Sequence, residues 1–206
     1  MPINKQSLRK FLILFTLSIS LFTASLVQAH IQAPAGKVGI MGGISISADQ
    51  GSGLNLQGVY GVQDTLEIGG AWGTTPGNLD YYVADSMAGA FINWKFFESE
   101  TVALKTGISW YAFQNSDYTS FMSSSVNNHT GSTAQLGAYF KTSPGITPFV
   151  IQSLTGIDGG SGISQTQLGI IFGVTNSLDI ILSTARDAQG NGDAQLVLLK
   201  VGYYFL

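Results

Sequence analysis

The segment Leu66–Gly73, LEIGGAWG, alternates large apolar side chains with small or charged ones. Because successive side chains of an extended strand point to opposite faces, Leu66, Ile68 and Trp72 share one face. The other face carries Glu67 and three residues no larger than alanine. This pattern is typical of a transmembrane β-strand, where one face meets lipid and the other a crowded interior.

The same alternation recurs along the chain and predicts ten strands. They cover residues 37–47, 53–62, 65–74, 86–97, 101–113, 131–142, 147–156, 163–174, 177–186 and 194–205. No stretch after Ala29 is apolar for long enough to form a membrane helix, so a closed barrel is the remaining way to span a bilayer. We therefore predict an all-β fold, a single antiparallel transmembrane β-barrel of about ten strands, with eight or twelve as alternatives.

The connections between these strands alternate between short and long. Outer-membrane barrels have short turns on the periplasmic side and longer loops outside, so this alternation orients the chain. The short turns are residues 63–64, 98–100, 143–146 and 175–176, and the longer loops are residues 75–85, 114–130 and 187–193.

The first 29 residues have the features of an export signal. A basic region with Lys5, Arg9 and Lys10 precedes an apolar core at residues 11–21, and Val27-Gln28-Ala29 supplies a cleavage site. An uncleaved membrane anchor is the alternative, because the stretch up to residue 29 approaches the length of a bilayer span. We predict a signal peptide at residues 1–29 and an outer-membrane barrel at residues 30–206, with His30 at a mobile new terminus.

Composition restricts the classes of partner. Charged residues make up 10% of the chain, against about 25% in an ordinary soluble domain, which favours an exterior in contact with lipid. The net charge is −3 and becomes more negative without the leader, so the chain lacks the basic surface that binds nucleic acid. The chain contains no cysteine, which excludes disulfides and thiolate metal sites.

A cluster of charges is predicted to face the interior of the barrel, toward its periplasmic half. Glutamine side chains at positions 57, 135, 152, 165 and 167 are expected beside them. Two interpretations remain open: a salt-bridge network that fills a narrow lumen, or a positive constriction that prefers small anions. The predicted lumen charges are Glu67, Lys95, Lys105, Lys141, Asp179 and Lys200.

Aromatic residues gather near the ends of the predicted strands. In a membrane barrel they form two girdles at the lipid–water interfaces, whereas in a soluble β-domain they would pack in a core. Those expected at the periplasmic interface are Trp94, Phe96, Phe140, Phe172, Tyr203 and Phe205, and those at the outer interface are Trp72 and Trp110.

The sequence gives little support for catalysis or for a bound cofactor. His30 and His129 are the only histidines, and a triad or metal site needs more such groups held together. A pairing of His129 with Asp117 across the longest loop remains open. We predict no enzyme activity, no cofactor and no metal site.

Two short motifs carry a resemblance to a known class of protein. Residues 61–68, GVQDTLEI, match residues 173–180, GVTNSLDI, as repeated turn-to-strand units, and the chain ends LKVGYYFL. With the leader, these motifs resemble small outer-membrane β-barrel proteins of Gram-negative bacteria. The resemblance implies contact with outer-membrane lipid and lipopolysaccharide, and recognition of the last strand by the barrel-insertion machinery.

Two functions fit such a barrel. One is a small, porin-like passive channel with a lysine-lined lumen, which would carry a small solute. The other is a surface adhesin or structural barrel that acts through its outer loops, above all residues 115–130, on a surface ligand.

Overall fold

In a computed structural model of the protein, the chain is described over residues 29–47, 51–74, 84–116, 126–158, 163–187 and 196–205. Within these ranges ten strands form one closed antiparallel barrel, in which each strand pairs with its neighbours in sequence and β1 pairs with β10. The strands are β1 Val38–Ser47, β2 Gly51–Gln63, β3 Leu66–Gly73, β4 Ala84–Glu98, β5 Val102–Ser116, β6 Val126–Phe140, β7 Ile146–Ile157, β8 Ile163–Thr175, β9 Leu178–Asp187 and β10 Leu196–Phe205. The predicted single ten-stranded barrel is confirmed.

The barrel has two distinct ends. The turn end holds the start of β1, the end of β10 and the short connections, and the loop end holds the remaining connections. None of the described residues forms a helix long and apolar enough to cross a membrane.

The largest departure from the predicted strands lies at the loop end of β5 and β6. The predicted loop at residues 114–130 is wrong in extent, because its two sides continue the ladder up to the pair Ser116 and Val126. Polar residues such as Asn115 and Asn127 have low strand propensity, but two strands already in register extend at little further cost in chain entropy. The central residues 117–125 lie outside the described residues.

The alternation of side chains sorts the wall into an apolar outside and a mixed inside. On β3 the buried side chain of Glu67 alternates with the exposed ones of Ile68 and Trp72, as the period of two predicts. The outward face is built of large exposed hydrophobic residues, which suits a surrounding of lipid. They include Val38, Ile44, Leu54, Leu56, Ile92, Leu136, Leu154, Leu168, Val197 and Val201.

The chain preceding β1 enters the lumen. We name residues 29–36 the lumen segment. Gly36 adopts the left-handed conformation, with φ of 72°, and its backbone N–H donates to the carbonyl of Gly61 at 2.7 Å. This turn reverses the chain, so that residues 29–35 run into the barrel from the turn end. The expectation of a mobile terminus at His30 is therefore wrong, because the buried groups of the barrel bind this segment.

Candidate functional site: the turn end of the lumen

Glu67 is the centre of a hydrogen-bonded network across four adjacent strands. The residue is 4% exposed, and Oε1 accepts from the Lys105 ammonium and, at 2.9 Å, from the Asn93 side-chain amide. Asn93 in turn accepts from the side-chain amide of Gln135 at 2.9 Å. These side chains meet because Glu67, Asn93 and Gln135 lie in one row across the sheet, with Gly107 between the last two.

Gly107 has to lack a side chain for this network to form. A Cβ atom at this position would lie 2.0 Å from Oδ1 of Asn93 and 2.9 Å from Nε2 of Gln135. The glycine therefore leaves the gap through which the two amides reach each other.

The lumen segment adds its own backbone to the network. The N–H of Ala33 donates to Oε2 of Glu67 at 2.8 Å, and the carbonyl of Ile31 accepts from Lys105 at 3.1 Å. The charge pair thus holds the segment by one donor and one acceptor. Both charged groups also gain the additional hydrogen bonds that buried ions need.

Asp179 binds the segment on the opposite side of the lumen. This side chain is fully buried, and Oδ2 accepts from the backbone N–H of His30 at 3.1 Å. Nδ1 of the same histidine lies 3.1 Å from the same oxygen, and its ring lies 4.5 Å from the ring of Tyr204. His30 is thus enclosed between β9 and β10.

Apolar contacts complete the closure at the turn end. Ala33 is 1% exposed, and Ala29 is 4% exposed. Because these residues are small, the segment fits between large aromatic side chains of the wall, which close-packing in an interior requires. Ala29 packs in a cluster with Ala103, Tyr139, Phe149 and Ile171, and Ala33 packs in one with Val59, Phe91 and Tyr204.

Lys95 and Lys141 are bound elsewhere than predicted. Both ammonium groups lie 2.5 Å from carboxylate oxygens of Glu98, at the end of β4, and neither is paired with Glu67 or Asp179. Glu98 belongs to the predicted short turn at residues 98–100 and is absent from the predicted lumen charges. The sequence carries no signal for this contact, because positions three apart on a strand point to opposite faces.

Lys200 is the remaining predicted lumen charge. It pairs in register with Gly43 of β1 and Ile181 of β9, and its side chain runs along Gly43 inside the barrel. Within the described ranges it makes no hydrogen bond or ion pair. Of the six predicted charges, the structure thus joins only Glu67 and Lys105 directly to each other.

One of the predicted interior glutamines faces outward. Gln152 is exposed beside Leu154, and its side chain binds Ser164 at 2.7 Å and Thr166 at 2.6 Å on β8. The outward face therefore includes a polar group near the loop end, where a headgroup region can hydrate it.

The space below the lumen segment is an open cavity of about 520 Å³ at the turn end. Its walls combine backbone of the segment with charged and polar side chains from the connections. Those side chains belong to Asp64, Lys95, Glu98 and Asn176.

The predicted interfacial aromatics lie on the outward face. Phe172 is partly exposed, and the others are exposed in positions that leave their rings to the surroundings of the barrel. Trp94 and Phe96 have ring centroids 5.9 Å apart, and Tyr203 and Phe205 are 5.2 Å apart, which forms aromatic patches at the turn end. The exposed members are Trp72, Trp94, Phe96, Trp110, Phe140, Tyr203 and Phe205.

His129 and Asp158 form a clasp at the loop end. Nδ1 of His129 lies 2.5 Å from Oδ2 of Asp158, and the N–H of Thr130 donates to Oδ1 at 2.9 Å. The hydrogen bond from His129 holds the pKa of the Asp158 carboxyl below its usual range. The partner suggested from sequence, Asp117, lies outside the described residues.

We expect acid to open this clasp only below the ordinary range of an aspartate. Because the folded-state pKa of Asp158 is lowered, its contribution to stability is complete above the unfolded value and is lost as pH falls through the folded one. Hydrogen-exchange protection of the Thr130 amide should thus persist from neutral pH down to about pH 4 and then fall. Asp158→Ala should lower that protection at neutral pH and should match wild type once acid has opened the clasp. Unchanged protection in this variant at neutral pH would contradict the clasp.

Comparisons with known proteins match this chain to solved structures of low sequence identity. No protein-family model matches the chain, and no curated protein matches it. Among solved structures, the N-terminal β-barrel domain of Pseudomonas aeruginosa OprF is 12% identical with a TM-score of 0.45, over 83% of this chain and 98% of that one.

Two channel structures give similar values. KdgM porin is 9% identical with a TM-score of 0.49, over 82% of this chain and 99% of that one. An outer-membrane channel from Pseudomonas putida F1 is 11% identical with a TM-score of 0.46, over 87% of this chain and 100% of that one. The fold assignment rests on this chain's own sheet, whose closed ten-stranded barrel and apolar outward face are the architecture of a small outer-membrane β-barrel protein.

Proposed function

We propose that the protein is an outer-membrane barrel with its turn end in the periplasm, and that it is a small channel closed by the lumen segment. The position of residues 29–36 inside the barrel carries this proposal. The segment is covalently joined to the barrel through β1 and is held elsewhere by non-covalent contacts, so it can withdraw by local unfolding.

The contacts of the segment suit a reversible closure. Residues 30–33 form hydrogen bonds to Glu67, Lys105 and Asp179, and these groups retain or regain water when the segment leaves. Ala35 and Gly36 bind Asp64 and Gly61 at the turn end. Withdrawal would then expose Glu67, Lys105 and Asp179 together with the aromatic side chains that pack against the segment. The charged groups would hold water in the passage, as the polar lining of an aqueous pore does.

Bilayer recordings test the closure. The wild-type barrel should be closed for most of the time, whereas a variant that lacks residues 30–36 should conduct steadily. Both proteins need the same heat-modifiable, folded band in detergent as a control. Equal and silent traces from two folded proteins would overturn the channel proposal.

Lys200 should set the ion preference of the open channel. Lys105 is neutralised by Glu67, and Lys95 and Lys141 share the single carboxylate of Glu98. Among the four predicted lumen lysines, Lys200 is the one with no carboxylate partner within the described ranges. A ring or cluster of uncompensated charge selects ions of the opposite sign.

Selectivity measurements therefore focus on this residue. In the variant without residues 30–36, Lys200→Gln should weaken anion preference and Lys200→Glu should reverse it. Arg186→Gln, which removes a positive charge from an exposed, outward position, is the matched control and should leave the reversal potential unchanged. A shift that is equal in Lys200→Gln and Arg186→Gln would contradict a role for Lys200 in the lumen.

A surface role is the second candidate, and the extended β5–β6 hairpin favours it. The two strands remain paired for six residues beyond Trp110. At the rise of an extended strand, these residues extend the hairpin roughly 20 Å past the aromatic residues of the outer interface. A folded variant without the lumen segment that stays silent in bilayers would leave this surface as the functional part.

A further inference from the structure

Asp179 has too few partners for a fully buried carboxylate. Oδ2 accepts from the backbone N–H of His30 and lies within 3.1 Å of its ring, whereas Oδ1 has no hydrogen-bond partner among the described residues. A buried carboxylate is costly unless a cation and several donors compensate it. The peptide N–H is a neutral donor of one hydrogen bond, and the His30 ring also contacts Oδ2, so Oδ1 still lacks a donor.

The nitrogen that contacts Asp179 is the one that signal cleavage would convert to an amine. Val27-Gln28-Ala29 is the predicted cleavage site, and His30 follows it. Hydrolysis adds hydroxyl to the Ala29 carbonyl and hydrogen to the His30 nitrogen. The new amine then takes a proton from solvent, because α-amino groups have pKa values of about 7.7–8.0.

We propose that the processed N-terminus of the protein is a built-in ligand of Asp179, and that the His30 α-ammonium locks the lumen segment in place. An ammonium brings a positive charge and three donors to the position of a single N–H. One donor keeps the existing contact to Oδ2, and another is available to Oδ1. This proposal rests on the same placement of residues 29–36 that the proposed channel uses.

Cleavage also removes Ala29. The loss of its packing and the gain of the ion pair therefore decide together whether processing strengthens or weakens the binding of the lumen segment. Ala29 contributes one methyl group to the cluster around Tyr139 and Phe149. Its loss costs the packing of that methyl, whereas the gain is a buried ion pair in place of a neutral hydrogen bond. We therefore expect the protein that begins at His30 to hold the segment more tightly than one that begins at Ala29.

Mass spectrometry and amine labelling test the proposal on the mature protein. The native chain from outer membranes should begin at His30, and its α-amine should react with an amine reagent at neutral pH about tenfold or more slowly in the folded barrel than after unfolding. A chain that begins at another residue, or equal labelling rates before and after unfolding, would overturn the proposal.

A four-protein comparison separates the ion pair from simple burial. Barrels beginning at His30 and at Ala29 are each prepared with Asp179 and with Asp179→Asn, and their thermal unfolding is compared. The His30 start should unfold at the higher temperature with Asp179, and the two starts should converge with Asp179→Asn. An advantage that survives Asp179→Asn would overturn the ion pair.

The test of the ion pair does not depend on whether the barrel conducts ions. If Asp179→Asn fails to refold, the comparison between the two proteins that keep Asp179, one beginning at His30 and one at Ala29, is still decisive. Equal unfolding temperatures of these two proteins would overturn the proposal. A protected His30 amine in a barrel that never conducts would remove the channel but keep the ion pair. A conducting barrel with a freely reactive His30 amine would keep the channel but remove the ion pair.

Discussion

Replacing Glu67 by leucine is expected to destabilise the barrel by about 3–5 kcal/mol, the cost of leaving a buried charge without its partner. The Lys105 ammonium would keep only the carbonyl of Ile31, and the Asn93 amide and the Ala33 N–H would lose their acceptor. Chemical unfolding in detergent, followed by tryptophan fluorescence, measures the loss.

A double variant is the control for this experiment. Glu67→Leu combined with Lys105→Met removes both charges, and it should recover much of the stability lost in the single variant. A single variant as stable as wild type would mean that water, and not Glu67, compensates Lys105.

Gly61→Val is expected to open the barrel without removing any of the lumen segment. A Cβ atom at Gly61 would lie 2.1 Å from the carbonyl oxygen of Pro34 and 2.6 Å from that of Ala33. Because both are backbone atoms, the clash is relieved only if the lumen segment moves away from β2. Conductance in bilayers should then approach that of the variant without residues 30–36.

The same strand provides a matched control. Gly58 faces outward, and a Cβ atom there would meet nothing within 4 Å, so Gly58→Val should remain as closed as wild type. Equal conductance in Gly58→Val and Gly61→Val would contradict the closure of the lumen by residues 29–36.

The sequence was sufficient to predict the wall of the barrel, because a period of two is a local property of each strand. It places Glu67 inward and Trp72 outward without knowledge of any partner strand. It underestimated β5 and β6, since the pairing of Ser116 with Val126 depends on strands already in register and not on propensity.

The closure of the lumen was not predictable by the same means. Residues 30–36, HIQAPAG, have no period of two or of 3.6, so nothing in their pattern indicates a place inside the barrel. Their small side chains and Gly36 are compatible with close packing, but they are equally compatible with a solvated terminus. The partners of the lumen charges were likewise beyond pattern analysis, since Glu98 reaches Lys141 across the β4–β5 turn.

Thiol labelling of the lumen segment tests the central claim most directly, because the native chain contains no cysteine. Ala33→Cys and Ala35→Cys differ by two positions, yet Ala33 is 1% exposed whereas Ala35 is exposed. In the folded barrel, Ala33→Cys should react with a polar maleimide at least about tenfold more slowly than Ala35→Cys, and the two rates should become equal on unfolding. Equal rates in the folded barrel would place residues 29–36 outside the lumen and contradict the closed state.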